Sequence, residues 1–373
     1  MTLALKTNKL PSRSAIKMPQ ATSYPWYLVG SLYLLIMHPS GDAATLDAIL
    51  EPIAPSVRKW ASLVVVDGEE SSPSFRWYHY RDSEHAIDFW PASTIKIYTA
   101  VAALEYLNQL SVSSDSALIF ERQVGDRWQV DAARTPREMI SEVFRRSSNE
   151  DYTLLLRFVG IDRINTQFLI PEKGFPHSAL MRDYVVHRPV VYENTEPQRI
   201  RIVEPDGKRR EVTHTWTGLS YAKQRGATIL SDTTGNATST RELAECLRRI
   251  FFAEVLPPEE KYQLTDQQLA WICHGEDGLV GLENKSAGPY AWTDGIETFL
   301  PNARYFHKAG LISNYVLDVA YVEDEALNVK FILSLAAHTG DGKVIGQMAK
   351  ALTRWILQQK AIPTTEEDST QGH

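Results

Sequence analysis

Two hydrophobic rhythms divide this chain, and the change between them happens twice. Near the start of the ordered pattern, "SLVVVDG" (62–68) and "FRWYHYR" (75–81) are rich in β-branched and aromatic residues. A Glu/Ser/Pro-rich turn at Gly68–Ser74 joins them, which predicts two strands, preceded by a helix over Leu46–Ala61. From residue 93 onward the apolar positions recur at helical spacing. "TPREMISEVFRRSSNEDYTLLLRFVG" continues the pattern, Leu243, Leu247, Ile250 and Phe251 repeat it, and "LTDQQLAWICHG" ends on a helix stop. The strand rhythm then returns in "NARYFHKAG", "NYVLDVAYVED" and "NVKFILSLAAH", before a last helix, "VIGQMAKALTRWILQQK".

Strands at both ends with helices between them predict an α/β (α+β) fold. An antiparallel sheet is built from both termini and flanked by helices, beside a mainly helical lobe. The sheet lobe is expected from 44–92 and 300–362 and the helical lobe from 93–299. Inside the helical stretch, "RIRIVEPDGKRREVTHTW" alternates on both sides of Asp206-Gly207. It predicts a β-hairpin at about 198–216, set in as an insertion.

Composition narrows the function. With 373 residues, 43% apolar and 23% charged, the chain is of globular type. A formal charge of −7 argues against a nucleic-acid surface, and Lys208-Arg209-Arg210 reads as turn decoration. No His/Cys spacing suggests a zinc site, and no cofactor is implied. Lys6, Lys9, Arg13 and Lys17 precede an apolar run from Trp26 to Met37, then small residues through Ala44. That order predicts an export signal over 1–43, cleaved near Ala43, with Met1 or Met18 as the start. The run is short for a bilayer span, so membrane contact is expected only through an uncleaved signal. The destination is periplasmic or extracellular, and residues 363–373 form a polar tail. Export permits a bond between Cys246 and Cys273, the only cysteines, but two buried thiols fit as well.

Candidate chemistry begins with "PASTIKIYTAVAALEYL" (91–107), where Lys96 stands in an almost unbroken apolar run. The pattern S-x-x-K occurs four times, at Ser14/Lys17, Ser56/Lys59, Ser93/Lys96 and Ser220/Lys223. Only Ser93/Lys96 opens a helix apolar around its whole circumference, which is a buried helix. Residues three apart share a helix face, so the hydroxyl and the amine can meet. Burial and the positive helix end both penalise an ammonium, which makes Lys96 a candidate base for Ser93. Two further motifs occur once each: Ser147-Ser148-Asn149 (S-x-N) and Lys308-Ala309-Gly310 (K-x-G). The first lies between helical segments. In the second, Gly310 would let a substrate backbone come close.

S-x-x-K, S-x-N and K-x-G in this order resemble the signature of the penicillin-recognising serine hydrolases, and within them the class A β-lactamases. "SSNEDYTLLLRFVG", "SDTTGNATSTRELAECLRRIF" and "HKAGLISNYVLDVAYV" are similar to the family's corresponding segments, so the resemblance covers most of 46–360 apart from the hairpin. It implies Ser93 as the nucleophile that forms an acyl-enzyme and Lys96 as its base, directly or through a water. Ser147 would carry the proton to the leaving nitrogen. Asn149 would bind the substrate amide and Lys308 an anionic substrate, with the backbone N–H groups of Ser93 and Leu311 as oxyanion hole. The implied partner is a small molecule or cell-wall peptide, acted on by a monomer.

Two departures change what is implied. Ala309 replaces the family's Thr or Ser, which removes one hydrogen bond to a substrate carboxylate, worth roughly 1.5–3 kcal/mol. The family's deacylating glutamate has no counterpart in "PHSALMRDYVVHRPVVYENTEPQ"; Tyr184 aligns with it, and Asp183, Glu193 and Glu196 are weak substitutes. β-Lactam hydrolysis with impaired deacylation is therefore the leading expectation. A D,D-peptidase or esterase, and a penicillin-binding sensor with little turnover, are the alternatives.

Overall fold

The strand-rich ends of the chain meet in one five-stranded antiparallel sheet. The computed structural model describes residues 43–185, 197–216, 221–225, 235–276, 278–284 and 292–361. The expected export segment and polar tail lie outside these residues, apart from Ala43 itself. β1 (Lys59–Glu69) and β2 (Ser72–His79) come from the N-terminal side. β7 (Arg304–Ile312), β8 (Tyr315–Asp324) and β9 (Val329–His338) come from the C-terminal side, and the order is β2-β1-β9-β8-β7. β1, β8 and β9 are buried along most of their length, which is why they read as near-continuous apolar runs.

Side-chain alternation sends the two faces of the sheet into different cores. Leu63, Val65, Val322 and Leu333 pack with α1 (Ala43–Leu50) and α10 (Lys343–Ala361). Val64, Phe306, Val319 and Ile332 join the core of the other lobe. The helix expected over 46–61 stops at Leu50, because Pro52 disfavours helical geometry at the residue before it; Lys59 already belongs to β1.

At the centre of the second lobe is α2 (Lys96–Leu110), buried at every position from Lys96 to Leu107. It packs against α3 (Pro136–Arg146) and α4 (Asn149–Val159). α3 begins with a full capping box, in which Thr135 Oγ1 accepts from Glu138 N and a Glu138 carboxylate oxygen accepts from Thr135 N. α5 (Ile161–Arg163) and α6 (Tyr221–Gln224) are single turns. α7 (Thr240–Phe251) and α8 (Asp266–His274) match the expected helices, and α9 (Trp292–Glu297) packs on α10. Among the described residues no helix is long and apolar enough to cross a membrane.

The lobe is less helical than its sequence suggested. β3 (Ala117–Val124) and β4 (Arg127–Arg134) form a hairpin between α2 and α3. The hairpin foreseen near 198–216 is β5 (Gln198–Val203) and β6 (Arg209–His214), and β5 pairs with β3. A four-stranded sheet β4-β3-β5-β6 results. Leu118, Phe120, Ile200 and Ile202 all point from it into the main core, so the second hairpin is docked by burial as well as by ladder hydrogen bonds.

Candidate active site

Ser93 sits on a strained turn. Residues Ala92–Ile95 form one 3-10 turn that runs directly into α2. Ala92 is held at φ +48°, a left-handed conformation that costs an L-residue roughly 1–2 kcal/mol. The Thr94 hydroxyl donates to Pro91 O at 2.6 Å and tightens the turn. Ala92, Thr94, Ile95 and Lys96 are buried while Ser93 is partly exposed, so this one side chain is offered to solvent.

The free edge of β7 closes on that turn. A β-carbon built on Gly310 would lie 3.1 Å from Ser93 N and 3.2 Å from Pro91 O, so Gly310 makes room for the Ser93 turn itself, where the sequence suggested room for a substrate. His307 N donates to Leu282 O at 2.9 Å, on the side away from β8. Backbone direction alternates along a strand, so the N–H groups of Ala309 and Leu311 face the same open edge. The Leu311 side chain is 44% exposed there.

Two buried amines converge on one hydroxyl. Lys96 donates to Ser147 O at 2.5 Å, to Asn149 Oδ1 at 2.7 Å and to Ser147 Oγ at 3.2 Å. Lys308 donates to the same Ser147 Oγ at 2.8 Å and to Ala309 O at 2.9 Å. Both lysines are fully inaccessible to solvent. Ser147 can face them because it leaves α3 in the left-handed region at φ 59°, while Ser148 caps α4 by accepting from Asp151 N. Among the described residues the Ser93 hydroxyl makes no hydrogen bond. The expected meeting with Lys96 is replaced by the amine's reach across to Ser147 and Asn149.

Burial, then the charge of Lys308, pulls Lys96 down to about 6 against the opposing pull of Glu150 and Asp151. Lys308 falls to about 8 by burial, opposed by Asp318. Near neutrality Lys308 is therefore charged and Lys96 mostly neutral. The contacts then balance. Lys308 donates to Ser147 Oγ, while neutral Lys96 spends its two protons on its shorter contacts, Ser147 O and Asn149 Oδ1, and gives up the longer donation to Ser147 Oγ.

Tyr184 borders this cluster. Its hydroxyl donates to Ala92 O at 3.0 Å and accepts from Asn236 Nδ2 at 3.1 Å. Its ring stacks on Tyr152, whose face lies 5.7 Å from the Lys96 amine. Burial pushes the phenol up to about 12. Asp183 is buried and accepts from the Thr153 hydroxyl at 2.9 Å. Glu193 and Glu196 lie outside the described residues.

The sequence profile of the β-lactamase enzyme family matches residues 82–356. The chain belongs to that family. It is a serine hydrolase of the β-lactamase type, within the penicillin-recognising superfamily. Solved structures share the fold at low identity. A β-lactamase from Sphaerobacter thermophilus DSM 20745 is 15% identical, with 86% of this chain and 98% of that one covered at a TM-score of 0.53. A class A β-lactamase from Bacteroides cellulosilyticus DSM 14838 is 12% identical, with 85% and 98% covered at 0.51. A mutant of PBP-A in an acyl-enzyme complex with penicillin G is 14% identical, with 85% and 96% covered at 0.50. No curated protein matches the sequence.

Several β-lactamase site contacts escaped sequence reasoning. Asn236 pins the 181–184 stretch by accepting from Met181 N and Arg182 N while donating to Arg182 O. Asn149, expected to serve substrate, is committed to Lys96 through Oδ1. His307 and Asp318 form a buried pair beside Lys308. Cys246 and Cys273 are both buried free thiols.

Proposed function

We propose that this serine hydrolase opens β-lactams by acylation of Ser93 and releases the product slowly. The Ser93 hydroxyl loses its proton to neutral Lys96, directly or through a water, as Oγ bonds to the lactam carbonyl carbon. When the C–N bond breaks, the nitrogen takes a proton from Ser147, which regains one from the lysines. The N–H groups of Ser93 and Leu311 hold the oxyanion, and preorganised donors of this kind are worth about 3 kcal/mol each. Lys308 attracts the substrate's anion, Asn149 lies beside its amide, and Ala309 offers no hydroxyl to its carboxylate. The observation that carries the reading is the Ser147 hydroxyl held between two buried lysines.

Slow release is supported by Tyr184. Tyr184, which the sequence resemblance aligns with the family's glutamate, is bonded to the Ser93 turn through Ala92 O, and a phenol pushed up to about 12 is a poor base at neutral pH. This favours penicillin-binding behaviour over rapid turnover. The basic lead and short apolar run support export ahead of the hydrolase domain, to the side of the membrane where β-lactams and cell-wall peptides are met.

Intact-protein mass spectrometry after incubation with a penicillin tests the proposal. The wild-type protein should gain a long-lived adduct that Ser93→Ala lacks. An equal adduct on Ser93→Ala would remove the nucleophile assignment, and fast steady hydrolysis of nitrocefin without an adduct would remove slow release.

A further inference from the structure

A buried amide outside the three motifs reaches the nucleophile's turn through one intermediary. Asn236 is 1% exposed, and all four of its hydrogen-bonding positions are filled. Oδ1 accepts from Met181 N at 2.7 Å and from Arg182 N at 3.0 Å. Those two groups only donate, so the amide can stand only one way round. Nδ2 faces Arg182 O at 3.0 Å and the Tyr184 hydroxyl at 3.1 Å. Any other orientation would set donors against donors in a buried place, which is costly.

That orientation fixes the polarity of the next bond. An amide nitrogen only donates, so the Tyr184 oxygen accepts from it and the phenol hydrogen must go elsewhere. Ala92 O, at 3.0 Å, takes it. The Trp90 side chain also bonds to the phenol, and an indole too can only donate. Direction therefore runs one way, from Asn236 through Tyr184 to Ala92. Ala92 is the residue held at φ +48°, immediately before Ser93. A strained conformation persists only where its surroundings over-determine it, and the bond on Ala92 O is one such constraint. Docking of the 235–239 stretch does not depend on the Asn236 side chain, since Ala237 and Ala179 exchange two backbone hydrogen bonds of 2.8 and 2.9 Å.

We propose that Asn236 is a positioning residue for acylation: by donating to Tyr184 it commits the phenol hydrogen to Ala92 O and so holds the left-handed turn that presents Ser93. The kinetic consequence rests on the acylation reading above. The direction of the bonds does not.

Asn236→Asp tests it, since a carboxylate of the same shape still accepts from Met181 N and Arg182 N but offers Tyr184 an acceptor in place of a donor. The phenol hydrogen should turn to the carboxylate and leave Ala92 O. NMR of the Ala92 carbonyl carbon, whose shift follows hydrogen bonding, reads this without any substrate. The resonance should move in Asn236→Asp and in Tyr184→Phe, in the same direction. An unmoved carbonyl in either folded variant would overturn the inference. With penicillin, each variant should acylate about tenfold more slowly at unchanged affinity. The double variant should be no slower than the slower single one, because both changes cut the same chain. Losses that multiply would show Asn236 to act by another route and overturn it. Were Asn236→Asp unfolded by circular dichroism, Tyr184→Phe decides: it must move both the Ala92 carbonyl and the Asn236 side-chain amide resonances, and failure of either to move overturns the inference. A wild-type protein that takes no penicillin adduct would sink the acylation reading alone and leave the carbonyl result standing.

Discussion

The Tyr184 hydroxyl donates its hydrogen bond to the carbonyl oxygen of Ala92, the residue immediately before Ser93, at 3.0 Å. A side chain from the loop thereby braces the turn that presents the nucleophile. On the proposed reading, the same contact holds a weakly acidic phenol where the sequence resemblance aligns the family's deacylating glutamate. Tyr184→Glu exchanges the brace for a carboxylate. The lifetime of the penicillin adduct, followed by mass spectrometry, should shorten about a hundredfold, the lower range for a positioned general base. An unchanged lifetime would place the block to deacylation elsewhere.

Acylation should follow a bell-shaped pH profile. Its rise tracks Lys96 as it loses its proton through about 6, and its fall tracks Lys308 through about 8. Both limbs belong to two coupled amines and are read as apparent values. Stopped-flow acylation with a chromogenic cephalosporin between pH 5 and pH 9.5 measures them. A rate flat across the range would exclude Lys96 as the base.

Buried amines also govern stability. Lys96 is ordinarily protonated up to 10.5, and its folded value lies near 6. Between those values the unfolded chain binds more protons, so stability rises with pH; the cost of the buried charge is fully present below about 6. Lys96→Met should therefore be stabilised by roughly 1–4 kcal/mol in acid, with the gain shrinking as pH rises, and should lose acylation. Urea midpoints at pH 5.5 and pH 9 give the comparison. A gain that grows with pH contradicts the assignment.

Gly310→Ala brings a methyl group 3.1 Å from both Ser93 N and Ala92 Cβ. The turn has to yield by a few tenths of an ångström, enough to misalign the nucleophile against Leu311 N. Acylation is expected to slow by about tenfold or more while the thermal midpoint changes little. Equal loss of both would show the glycine to be structural only.

Much of this enzyme was legible in its residues. The β8 and β9 patterns, the hairpin turn at Asp206-Gly207, and the three motifs at Ser93, Ser147 and Lys308 are local signals, and each reads out a local preference. The β3–β4 hairpin was missed although Gly125-Asp126 separates two alternating segments, because each segment is short and set among helices. Its strands gain their meaning only by pairing with β5, many residues away.

Residue types and their order along the chain determined which side chains could do acyl chemistry, because a hydroxyl, an amine and a glycine keep those properties wherever they stand. Folding decided which of them touch. It turned Lys96 toward Ser147 and Asn149, set Tyr184 under Ala92, and brought Lys308 to the same Ser147 hydroxyl. Those relations depend on distances closed by the sheet edge and the loop, and on burial that moves protons between amines, and neither quantity is written in any one stretch of sequence.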